Sequence, residues 1–251
     1  MFSNKELRSM IITLFFEQLL VMLVGIVDTF VVSSCGEAAV SGVSLVNQFN
    51  TIFIYLFTAL ASGGAIIVSQ YIGNKDEKRT VLSSSQLLMF SIVFSIVLSL
   101  LVLIFNKQLL GLLFGKVESD VMKACVTYLR ISAYSYPALA IYNAGAALYR
   151  SMAKTKVTMY ISFAANIINV VGNIIGVYVL KAGVAGVAYP SLISRVFSAI
   201  IITVLCFNKK LEAYYDLKDI FRFDGKMLKR ILNIAIPNGV ENGIFQLVKV
   251  A

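Results

Sequence analysis

Residues 10–32 form an apolar run long enough to cross a bilayer as a helix, and the run carries two carboxylates, Glu17 and Asp28. About 20 residues rising 1.5 Å each span the hydrocarbon. One acid in the middle of such a span costs roughly 2.5–3.5 kcal/mol on insertion scales. Eleven residues at about 100° each come to about 1100°, three turns and about 20°. Glu17 and Asp28 therefore share one helix face, roughly 16 Å apart along the axis. Such a face has to meet water, a cation or a polar partner.

Six further apolar runs follow, at 43–68, 87–105, 121–148, 157–180, 184–207 and 231–251. The chain is 59% hydrophobic and 14% charged, with a mean hydropathy of +0.84; a soluble domain carries about 25% charged residues. The expected fold class is all-α: a polytopic membrane protein with a six-helix transmembrane bundle and the start of a seventh helix. Loop charges alternate. Lys5, Arg8, Lys75, Lys78, Arg79, Arg150, Lys154, Lys156, Lys209, Lys210, Lys218, Arg222, Lys226, Lys229 and Arg230 fall on one side, fifteen in all, and Lys107, Lys116, Lys123 and Lys181 on the other. The positive-inside rule places the N-terminus in the cytoplasm of a multi-pass cell-membrane protein. It also accounts for the net charge of +9 without nucleic acid as a partner. Segment 208–230 mixes both signs with Leu211, Tyr214, Tyr215, Leu217, Ile220 and Phe221, and reads as a cytoplasmic amphipathic connector along the membrane surface. Segment 106–120 reads the same way on the outer side.

There is no His, and Cys35, Cys125 and Cys206 are scattered with no C-x-x-C. A zinc or haem site has nothing to build on, and three free thiols are expected. An intramembrane enzyme would need a nucleophile–base pair or a metal, so no catalytic residues and no cofactor are assigned.

The end of the chain resembles its beginning. Lys5 precedes Glu17, and Lys229 precedes Glu241, by the same 12 residues, with apolar sequence between. Six spans separate the two starts, so the second copy has the orientation of the first, a parallel repeat about the membrane normal. The expected units are a six-helix lobe at 1–207, the connector at 208–230, and the first helix of a second lobe at 231–251. A chain nearly twice as long is expected, with a half-size protein that dimerises as the rival.

Polar residues fall in stripes. Ser162, Asn166, Asn169, Asn173 and Gly176 share one face of the fifth run. Amides are costly in hydrocarbon and face the bundle interior, where three on one stripe suit a hydrated cavity better than interhelical glue. Asn47, Thr51, Tyr55, Thr58 and Ser62 share a face of the second run, a weaker signal because hydroxyls can bond within their own helix. Asn238, Glu241, Asn242 and Lys249 share a face of the seventh. In the fourth, Tyr134, Tyr136, Pro137, Tyr142 and Asn143 make an aromatic segment bent at the proline, suited to packing or to cation–π contact with a substrate.

Several local motifs resemble those of the multidrug and toxic-compound extrusion (MATE) family, in the same order. They are Gly25-Ile26-Val27-Asp28-Thr29 in the first helix, Ser69-Gln70-Tyr71-Ile72-Gly73-Asn74 after the second, and Leu148-Tyr149-Arg150-Ser151 through Lys154-Thr155-Lys156 after the fourth. Asn169 and Asn173 follow in the fifth, Gly183-Val184-Ala185-Gly186-Val187-Ala188 at the start of the sixth, and Pro237 in the seventh. The resemblance implies the N-terminal lobe of a twelve-helix, two-lobe secondary transporter that expels organic compounds in exchange for H⁺ or Na⁺. It carries the cation-coupling role to Asp28, with Asn169 and Asn173. Glu17, Asn47, Thr51, Tyr55, Tyr134, Tyr142, Asn166 and Glu241 are candidate cavity or substrate residues. Departures from the pattern are Phe15-Phe16-Glu17 where an early Pro is common, Ala153 where Gly is usual, and Asn173 where some members have Asp.

The implied partners are membrane lipid, a small organic substrate and either the missing second lobe or a second copy. A lipid-linked oligosaccharide flippase of the same superfamily is the alternative. The deep acids Glu17, Asp28 and Glu241, against Arg130, Arg195 and Lys249, favour an exporter of cationic compounds. A purely structural or receptor-like bundle would tolerate apolar residues at Asp28 and along the Asn stripe.

Overall fold

The computed structural model describes residues 4–115 and 117–250, with side chains at 8, 10–20, 22–115 and 117–241. Over these residues the chain is helical throughout its apolar runs: α1 (Asn4–Ser33), α2 (Glu37–Gly73), α3 (Glu77–Phe114), α4 (Ser119–Tyr134), α5 (Tyr136–Ser151), α6 (Thr155–Ile174), α7 (Ala185–Cys206), α8 (Leu217–Phe221) and α9 (Gly225–Val250). Five helical stretches are long and apolar enough to cross a membrane: Met10–Ser33, Glu37–Gly73, Glu77–Phe114, Thr155–Val179 and Ala185–Cys206. This is a polytopic all-α membrane protein, as the composition requires.

Three findings revise the run boundaries. The fourth run is two helices, α4 and α5, meeting at Ser135, with Pro137 in the first turn of α5, where its missing N–H costs nothing. The third helix does not stop at residue 105. It bends at Phe105 (φ −100°, ψ 16°) and continues to Phe114, so most of the expected outer surface segment is helical and seats Leu110 in the core. Finally, α9 begins at Gly225, ahead of its apolar run.

The turns follow from local chemistry. At α2–α3, Lys75 takes the left-handed conformation (φ 57°), Asp76 N–H donates to Tyr71 O (3.1 Å), and the Asp76 carboxylate accepts from Arg79 N–H (3.1 Å). At α5–α6 the pattern repeats, with Ala153 at φ 58° and Lys154 N–H donating to Tyr149 O (2.9 Å). These are Schellman closures, whose left-handed position is most often Gly. That is the physical reason a Gly is usual where this chain has Ala153.

The distribution of side chains is inverted relative to a soluble bundle. Phe15, Phe16, Met22, Ile26, Phe30, Leu100, Ile104 and Val204 point outward, whereas Ser83, Ser84, Ser91, Ser95, Ser99, Asn169, Asn173, Ser194 and Ser198 are buried. With lipid outside, apolar surface gains nothing by hiding, and polar atoms must find partners within. The helix α2 is the hub, packing on α3, α4, α5 and α9, while α1 packs chiefly on α6 and α6 on α7. One core surrounds the α4/α5 break, where Tyr136 is fully buried, stacks on Phe53 (4.7 Å between centroids) and donates to Asn50 Oδ1 (2.7 Å). The carbonyl of Ala133, at the end of α4, accepts from Ser99 Oγ (2.7 Å).

The connector is tied to the bundle. Gln86 of α3 donates to the carbonyls of Asp219 (2.7 Å) and Arg222, and accepts from Asp224 N–H (3.0 Å). Ser85 accepts from Asp216 N–H (3.0 Å), and Ala213 and Tyr215 are buried. Leu217, Phe221 and Phe223 remain outward, away from the face that meets α3. The three cysteines are free thiols.

The α6–α7 contact brings two backbones together. Pro190 lies within α7 and cannot donate to the carbonyl of Gly186. A Cβ at Gly176 would stand 2.2 Å from that carbonyl oxygen, and one at Gly172 would stand 2.7 Å from Pro190 Cβ. Past Asn173 the α6 helix widens into a π-helical stretch, Ile175–Val179, with Leu180 N–H donating to Ile175 O (2.9 Å). Gly176→Val should cost about 3 kcal/mol or more, the upper end for overpacking, because backbone blocks it. Thermal unfolding of the detergent-purified full-length protein checks this, with Gly111→Ala, which meets nothing within 4 Å, expected to match wild type.

Candidate functional site

The polar centre of the bundle is built on the parallel pair α1 and α6. Asn173 is fully buried, and its Nδ2 donates to Asp28 Oδ1 (2.5 Å) and to Asn169 Oδ1 (3.2 Å). Asn169 Nδ2 donates to Ser191 Oγ of α7 (2.9 Å), which donates to Val187 O (3.1 Å). The chain Asp28–Asn173–Asn169–Ser191 thus crosses three helices. The i, i+4 spacing of the two asparagines sets them one turn apart on the face toward α1.

Asp28 opens on a small cavity that is partly continuous with the exterior. Gly25, Thr29, Ser44, Asn47 and Tyr128 help line it. Tyr128 is buried and lies within hydrogen-bonding reach of Asn47 and Ser191. Arg195 of α7 lies close enough to Asp28, Tyr128 and Tyr136 to act on them electrostatically. Its Nη1 donates to Ser135 Oγ (2.6 Å), which in turn donates to Ser132 O (2.6 Å). The centre therefore holds one carboxylate, one guanidinium and a ring of neutral donors and acceptors. Neutral amides and hydroxyls beside a single acid can accept a small cation without imposing a second negative charge.

The structure places the candidate residues in three settings. Asp28, Asn169, Asn173 and Asn47 are brought together. Glu17, Tyr142 and Asn166 lie lower on the same α1/α6 seam, with the Tyr142 hydroxyl beside the Glu17 carboxylate and near Ser162. The others stand apart. Thr51 spends its hydroxyl on Asn47 O within its own helix (2.7 Å), Tyr55 is half-buried on α2, and Tyr134 is 57% exposed at the end of α4. Glu241 is exposed on α9, whose neighbours are α2 and α3. The expected face-mates Asn242 and Lys249 lie outside the described side chains. Sequence reading singled out neither Tyr128 nor Ser191. Their signal is weak, since a lone Tyr and a Ser in an apolar run are common packing residues.

A helical lobe with apolar exterior, buried amide ladder and cavity-facing acid defines a multi-pass membrane protein of transporter type. The family model MatE matches residues 13–175, and the chain belongs to that family, the multidrug and toxic-compound extrusion transporters. It is 27% identical over 238 residues to the uncharacterized transporter YisQ of Bacillus subtilis, covering 93% of this chain and 52% of that protein. It is 24% identical over 246 residues to the probable multidrug resistance protein NorM of Thermotoga maritima, covering 96% and 52%. The fold matches the crystal structure of MATE in the straight conformation with a TM-score of 0.87 at 21% identity, over 95% of this chain and 53% of that one. The chain spans about half the length of the curated relatives it matches.

A hydrogen bond to a charged group contributes about 1.5–3 kcal/mol. A double-mutant cycle on Asp28→Ala and Asn173→Ala in the full-length protein should show coupling of that size in denaturation measurements. Additive effects would mean that the two side chains do not depend on one another.

Proposed function

We propose that this chain is the N-terminal lobe of a cation-coupled antiporter that exports organic, mainly cationic, compounds across the cell membrane by alternating access. The observation that carries the reading is the Asp28 carboxylate, set inside the bundle, held by Asn173 and facing a cavity. The family membership and a relative named as a probable multidrug resistance protein support it. In this mechanism a cation, H⁺ or Na⁺, enters from outside and binds Asp28, with the amides of Asn169 and Asn173 adjusting to it. Neutralising the acid removes a buried charge, so the helices around it repack and substrate affinity falls. Substrate leaves outward, the lobes rock, and the cation is released to the cytoplasm. A second lobe completes the substrate cavity. The N-terminus lies in the cytoplasm, consistent with fifteen basic loop residues on that side against four.

Asp28→Asn in the native full-length protein should abolish ion-gradient-driven efflux of a fluorescent organic cation from vesicles while leaving membrane insertion at wild-type level. Wild-type efflux by this variant would overturn the assignment.

A further inference from the structure

Asp28 and Asn173 are 145 positions apart in sequence, and so are Glu17 and Ser162. Because α1 and α6 run parallel in one register, the second pair repeats the first three turns lower. The structure bears this out through a third helix: Tyr142 of α5 places its hydroxyl within reach of both Glu17 and Ser162 and donates to Thr158 O (3.4 Å). Asn166 lies one turn above Ser162, between the two levels.

This lower level is incompletely satisfied. Among the described residues, five buried side-chain polar atoms have no hydrogen-bond partner, and three of them lie on this seam: Glu17 Oε2, Asn166 Nδ2 and Asn173 Oδ1. Buried polar atoms are ordinarily paired, and an orphan carboxylate oxygen is among the more expensive exceptions. The oxygens at this level are a carboxylate, a phenol and a hydroxyl, and the buried Asn166 amide, whose Nδ2 has no partner, would add its carbonyl on turning over about its terminal bond. Hard cations take such oxygen sets, one charged and the rest neutral. A proton alone would need only the carboxylate.

We infer that Glu17, Tyr142, Ser162 and Asn166 form a second station for a monovalent metal cation, on the α1/α6 seam between Asp28 and the end of the bundle that carries Arg150 and Lys154. The binding site stands on its own geometry. Its role as the exit station for the coupling ion rests on the antiport reading above. Arg150, the charged neighbour of Glu17, acts on it electrostatically and is itself half-buried at that end. A cation arriving at Glu17 meets this guanidinium, which weakens its hold and favours release on the basic side. Asn169 and Asn166 supply amides at each intervening turn, so a cation would stay in contact with polar atoms over the roughly 16 Å between the acids.

Sodium binding to the purified full-length protein tests the station, read as radioactive sodium retained per chain. Glu17→Gln should lower the stoichiometry by one relative to wild type, and Asp28→Asn should lower it by one independently. Tyr142→Phe should keep the fold, retain the count and raise the half-saturating sodium concentration about fivefold, the loss of one neutral ligand. Where Glu17→Gln folds poorly, Tyr142→Phe carries the test. Wild-type binding by Glu17→Gln, with loss in Asp28→Asn, would overturn the station and leave the coupling acid standing. Loss in Glu17→Gln with none in Asp28→Asn would support the station and remove Asp28 as a sodium ligand, leaving it a proton-coupling acid. Absence of sodium binding by the wild-type protein would overturn the station and leave Asp28 as a proton-coupling acid.

Discussion

A carboxylate inside an apolar helix has to be met by donors from another helix, and much of this lobe's geometry follows from where Asp28 is met. Asn173 makes that contact, which fixes α1 parallel to α6 in a single register. Asn169 then carries the same network to Ser191 and hence to α7. The α6–α7 spacing is held at backbone contact by Gly172, Gly176 and Gly186. The polar contact sets the register, and the small residues set the distance. Neither alone would do both, since small residues tolerate sliding and amides tolerate a range of separations.

The same division runs through the rest of the bundle. Helices in lipid gain no hydrophobic drive from burying leucine, so order comes from packing and internal hydrogen bonds. Serines on α3 illustrate the point. Ser84 and Ser95 bond their own backbone and simply allow close approach, whereas Ser99 reaches across to the carbonyl of Ala133. With Arg195 on Ser135, that bond stabilises the break between α4 and α5, which would otherwise leave polar backbone inside an apolar core.

Much of this was readable from residue patterns. Seven apolar runs, the shared face of Glu17 and Asp28 and the asparagine stripe on α6 all rest on periodicity, which a helix preserves faithfully. What escaped depends on single tertiary contacts. Pro137 signals a bend, yet the break falls at Ser135, where Ser99 and Arg195 supply partners from distant helices. The continuation of α3 past Phe105 is decided by the seat available to Leu110. Tyr128 and Ser191 belong to the central network through their neighbours, with no spacing to announce them. Tyr134, grouped by sequence with the aromatic segment, is turned outward because the helix restarts after it. Ala153 was legible as a departure from a pattern, and its reason became visible only as a left-handed turn.

The attachment of the connector to α3 carries a mechanical consequence. Gln86 spends both ends of its amide on connector backbone, and Arg230 at the start of α9 donates to Tyr71 near the end of α2. The segment between α7 and α9 therefore behaves as a bracket bolted to the lobe, not as a slack strap. A displacement of α9 would load the ends of α3 and α2 through the Asp224–Gln86 and Arg230–Tyr71 bonds. Both helices pack against the α4/α5 break, so the lever ends beside Tyr136 and Arg195, within reach of the polar centre.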